Sequence, residues 1–129
     1  MMAATSYASA IHTPSPKNIV YILTHNRNHA RETFWKAESD FHRAKVTLSK
    51  IKICSDDHYK WEDAACDLNI ARAAVIYSTK ELERAEKRLQ NAQHRYHMWA
   101  SGNPRWLEGT SIDKLLYGPV WIPSDNDFC

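Results

Sequence analysis

The chain has 129 residues, enough for one domain, with 43% hydrophobic and 25% charged residues and a formal charge of +2. So small a charge excludes a strongly polyanion-seeking protein, and three Gly among abundant Ala, Glu, Lys and Arg argue for helix over sheet. The charge is unevenly placed: Lys17 to Arg105 carries 16 Lys/Arg against 11 Asp/Glu, whereas Trp106 to Cys129 carries one Lys against four acids.

Residues 1–14 are small and polar and read as a flexible arm. They lack the basic leader and apolar core of a secretory signal, and no apolar run approaches the ~20 residues a membrane span needs. Cys54, Cys66 and Cys129 have neither metal-ligand nor redox spacing and read as free thiols in a reducing compartment. A soluble cytoplasmic protein is expected (in the host cytoplasm if the chain is viral).

Ser15-Pro16 is a helix start, with Ser15 as N-cap and Pro16 where its missing N–H costs nothing. Ile19 to Leu23 is rich in β-branched residues, yet Val20 and Leu23 fall in phase with the helix that follows. Thr24 to Asn28 are poor helix formers and predict a break or kink, so helix one begins at about residue 16 or at about 28. From there Ala30, Phe34, Ala37, Phe41, Ala44, Leu48 and Ile51 repeat at 4–3 spacing, large and small in turn, and carry the helix to about residue 53. Ser55, Asp56 and Asp57 form a turn and cap the next helix.

Helix two, about residues 57–100, has the longer ladder. Trp61, Leu68, Val75, Leu82, Leu89 and Tyr96 stand seven apart, and Ala64, Ala71, Ser78, Ala85 and Ala92 follow three residues after each, with Trp99 closing the series. Ser101-Gly102-Asn103-Pro104 ends it. So short a connection makes the helices antiparallel, and a turn centred near Ser55–Asp56 pairs residues whose numbers add to about 111–112. Large then faces small: Leu48 with Ala64, Phe41 with Ala71, Phe34 with Ser78.

The expected architecture is therefore all-α. Residues 15–104 form a long antiparallel, coiled-coil-like hairpin, and residues 105–129 form a C-terminal segment packing on it. In that segment Thr110 and Asp113 resemble a capping box opening a short helix over 111–117, stopped by Gly118-Pro119. An extended, acidic tail follows. Trp106, Leu107, Trp121 and Phe128 are expected to cover the open end of the hairpin.

A second, semi-apolar stripe runs off the seam near the turn: Trp35, Ser39, His42, Val46, Ser49 and Ile53 on helix one, and Cys66, Ile70, Ala73 and Tyr77 on helix two. Trp35, His42, Val46, Cys66, Ile70 and Tyr77 are the candidate protein-binding residues, with Trp35 and Tyr77 as aromatic anchors. The same stripe suits self-association into a four-helix-bundle homodimer.

Arg84, Lys87, Arg88 and Arg95, near His94 and Tyr96, make the far part of helix two basic and partly aromatic, the pattern of phosphate and base contacts. Interleaved Glu81, Glu83 and Glu86 weaken that field, so nucleic-acid binding is the weaker alternative. The pairs His25/His29 and His94/His97 could each share a helix face, but the register keeps them ~12 Å apart at helical rise, so no metal site is expected. No phosphate loop and no nucleophile beside a base occur, and neither enzyme activity nor a cofactor is expected.

The first reading is thus a non-enzymatic protein-binding module. In overall character, though in no motif, the chain resembles small phage-encoded inhibitors of host defence enzymes, which implies occlusion of a partner's functional surface.

Overall fold

The computed structural model describes residues 15–54 and 58–122; the arm over 1–14, the turn residues Ser55–Asp57 and the acidic tail with Phe128 lie outside them. Two long helices, α1 (Pro16–Cys54) and α2 (His58–Ala100), pack against each other as a hairpin, with a short α3 (Ile112–Tyr117) after them.

Helix α1 begins where the Ser15 cap puts it: the Asn18 N–H donates to Ser15 Oγ at 3.3 Å and the Ile19 N–H to the Ser15 carbonyl at 3.0 Å. It runs unbroken through Thr24–Asn28, so the break expected there does not occur. Burial outweighs the weak local propensity. Leu23, just before this stretch, is buried in a core with Leu89, Leu115 and Leu116, and the Thr24 hydroxyl is satisfied by the Val20 carbonyl at 2.8 Å. Helix α2 ends in a Schellman motif. The Gly102 N–H donates to the Trp99 carbonyl and the Asn103 N–H to the Met98 carbonyl, both at 3.0 Å, with Gly102 at φ +86°.

The chain divides into two compact units that both helices traverse. One is Asn28–Glu83; the other combines the described parts of Met1–Arg27 and Arg84–Cys129. In Asn28–Glu83 the seam is the one the spacing predicts, but its fully covered members are all small: Ala37, Ala64 and Ser78. Phe34, Phe41, Leu48, Leu68 and Val75 stay half-buried, because two helices without a third layer cannot enclose a large side chain. Lys45 Nζ, 5.3 Å from the ring centroid, shields part of Phe41. Ser78 sits buried without polar penalty, its hydroxyl within bonding distance of the Ala74 carbonyl at 2.8 Å.

The other unit has an enclosed core. Ile19, Leu23, Leu89, Ala92, Leu115 and Leu116 form it, flanked by Val20, Ile22, Trp106, Leu107 and Ile112. Ile19, Leu23, Leu89 and Ala92 share this core, as the predicted register allows, since 19 and 92 add to 111 and 23 and 89 to 112. The C-terminal segment supplies the third layer, and Ile122 is also buried. Trp121 departs from the expectation: it is 63% exposed, since along an extended stretch neighbouring side chains alternate and Ile122 takes the inward place.

The cap of α3 also shifts by one residue. Ser111, extended at φ −143° and ψ 167°, accepts from the Lys114 N–H at 3.2 Å, so Ser111 and not Thr110 is the N-cap. Thr110 is taken by the preceding turn, its N–H donating to the Leu107 carbonyl at 3.0 Å across Gly109, whose φ is +81°.

Candidate protein-binding surface

Within Asn28–Glu83 the six candidate residues are exposed: Trp35, His42 and Val46 on α1, and Cys66, Ile70 and Tyr77 on α2. At about 100° of rotation per residue, each set lies roughly 150° round its helix from the seam. They are therefore two ridges, one on the back of each helix, rather than a single face. The largest side chains stand well clear of the protein, with Trp35 58%, Ile70 64% and Tyr77 67% exposed. Cys66 is an exposed free thiol.

Beside the α2 ridge lies an open groove of about 380 Å³. Its floor is made of half-buried Ala44 and Ala71 with buried Ala64. Exposed Asp40, Arg43 and Thr47 form the α1 edge, and exposed Asp67, Ile70 and Ala74 the α2 edge. Of the six candidate residues only Ile70 lines this groove. Arg43 Nη1 and Asp40 Oδ1 are 3.3 Å apart, an exposed i, i+3 pair of the kind that holds its geometry weakly. The groove went unnoticed in the sequence because its Ala residues read only as the small members of the seam; the signal was Ala74, a small exposed residue next to that seam.

The four basic candidates belong to the other unit and are put to different uses. Arg88 Nε donates to the Gly118 carbonyl at 3.0 Å, and Arg95 Nη1 donates to the carbonyls of Trp106 at 3.0 Å and Glu108 at 2.7 Å. Both guanidinium groups thus fasten the C-terminal segment to α2. Lys87 Nζ donates to Gln90 Oε1 at 3.4 Å, and Arg84 is half-buried. Tyr96 stacks on Trp99, with ring centroids 6.1 Å apart and planes at 27°, and Trp99 remains 45% exposed. His25, His29, His94 and His97 are exposed. Among the described residues no group of three or more His, Cys, Asp or Glu is placed to hold a metal ion, and no helix is long and apolar enough to cross a membrane.

No protein-family model, curated protein or solved structure matches the chain.

Proposed function

We propose that the protein is a non-enzymatic protein-binding module that works through Asn28–Glu83. The observation that carries this reading is the contrast in burial. Among the described residues, this unit fully covers only Ala37, Ala64 and Ser78, while Trp35, Ile70, Ile76 and Tyr77 are at least half exposed. A helical layer left in this state has apolar surface that another protein can desolvate, and Trp and Tyr contribute most where that happens. A long, stiff helical ridge suits occlusion of a partner's functional surface, the action of a small inhibitor. The finer reading, an inhibitor of a host defence enzyme delivered by a phage, rests on the overall character of the chain.

Nucleic-acid binding has less support, because Arg88 and Arg95 direct their guanidinium groups to main-chain carbonyls of this chain.

The test is capture from a native lysate by the wild-type chain and by the double variant Trp35→Ala with Tyr77→Ala. A partner held by the wild type and lost from a variant of unchanged helicity supports the role. Equal capture by both removes the two ridges as the binding surface.

A further inference from the structure

The groove of Asn28–Glu83 has a property that a general binding surface need not have: a basic residue on its α1 edge, paired there with Asp40, stands level with an acidic residue on its α2 edge. Arg43 stands on the α1 edge and Asp67 on the α2 edge of the same groove. Their numbers add to 110, within one or two of the 111–112 expected of facing residues, the register that also lets Ile19, Leu23, Leu89 and Ala92 share one core.

We propose that the groove is filled by a second copy of this chain, related by a two-fold axis running parallel to the helices. Such an axis exchanges the edges while preserving height. Helix α1 of each subunit then lies against α2 of the other, and Arg43 arrives level with Asp67 of the partner subunit, twice over. Arg43 sits between that carboxylate and its own Asp40, as a forked guanidinium can. An axis perpendicular to the helices would instead set α1 on α1 and leave Asp67 without Arg43. The parallel axis is the arrangement in which the charges of both edges, Arg43 and Asp67, are used together.

Packing points the same way. Two helices approach as closely as the side chains between them allow, and Ala44, Ala64, Ala71 and Ala74 present only methyl groups. The half-buried Phe34, Phe41, Leu48, Leu68 and Val75 show a layer lacking its counterpart, which a four-helix bundle supplies. The interface is isologous, so it closes at two subunits. The Trp35–His42–Val46 ridge on the back of α1 stays outside it. Ile70 of the α2 ridge borders the groove and is shared, so the dimer is tested at Arg43, Asp67 and Ala74 and the partner-binding role at Trp35 and Tyr77.

Sedimentation of the full chain across a concentration range tests this. The wild type is expected to be dimeric at tens of micromolar. Arg43→Glu or Asp67→Arg alone should weaken the dimer about tenfold or more, and the two together should restore it. Ala74→Trp, on an exposed position, should give a folded monomer. Trp35→Ala should leave the dimer intact. A wild-type chain that remains monomeric at several hundred micromolar overturns the proposal. So does a double reversal no tighter than the single variants, or a dimer lost on Trp35→Ala.

Discussion

The guanidinium of Arg95 reaches the main-chain carbonyl of Trp106, Nη1 donating across 3.0 Å, and the same nitrogen donates to the Glu108 carbonyl at 2.7 Å. One cation on α2 therefore ties down two turns of the segment that follows it. Charge-assisted bonds of this kind contribute more than neutral ones, and the bond to Trp106 is partly buried. Arg95→Ala is expected to lower unfolding stability by about 2 kcal/mol in urea titrations. Arg95→Lys should recover only part of this, since a single ammonium lacks the planar fork. Arg88→Ala, which loses one carbonyl contact instead of two, should cost about 1 kcal/mol.

Why the sequence suggested a phosphate-binding patch here is clear from the acceptors. Arg88 and Arg95 bond to main-chain carbonyls of Gly118, Trp106 and Glu108, and a carbonyl has no residue identity to read. The seam was legible because it depends on local periodicity: Ala37, Ala64, Ser78, Ala85, Leu89 and Ala92 are all buried where the 3–4 spacing puts them. That Leu23 and Leu89 share one core agrees with the register set by the turn position, their numbers adding to 112. Continuity through Thr24–Asn28 was not legible, since the support comes from Leu89, Leu115 and Leu116, distant in the chain. Spacing also identified the exposed stripe residues, but only rotation relative to the seam separates them into two ridges.

Gly118 closes α3 at an unusually tight place. Its φ of −69° and ψ of 159° suit any residue preceding proline, so conformational freedom is not why glycine is needed. A methyl group there would drive into the Lys114 carbonyl oxygen and come to 2.9 Å of the Lys114 Cα. Those are backbone atoms and cannot step aside. Gly118→Ala is expected to cost about 1–3 kcal/mol, the range of overpacked sites, and to loosen the end of α3 in thermal unfolding. At Gly102 nothing lies within 4 Å and the strain is purely one of φ, so Gly102→Ala should cost about 1 kcal/mol.

Ser78 tests the large-to-small seam. Its hydroxyl lies 2.8 Å from the Ala74 carbonyl and 3.2 Å from the Val75 carbonyl, both inside the helix ladder. Removing the hydroxyl strands no buried donor, so Ser78→Ala should change stability by less than about 0.5 kcal/mol. Ser78→Leu adds bulk where α1 and α2 meet and should cost about 1–3 kcal/mol. Equal effects of the two substitutions would mean that the position is not sterically limited.

Burial along the helices is uneven, and amide exchange should show it. Ile19, Leu23, Leu89 and Ala92 lie in an enclosed core, whereas Phe41, Leu48, Leu68 and Val75 are only half-buried. Local opening is cheapest where few apolar groups are exposed by it. In dilute solution, amides near residues 19–23 and 89–92 should exchange at least about tenfold more slowly than those near 41–48 and 68–75. Raising the concentration should then slow the second group while leaving the first almost unchanged, because the proposed second copy covers only Asn28–Glu83. Arg43→Glu should remove that concentration dependence without altering protection around Leu23 and Leu89, which separates loss of the dimer from loss of the fold.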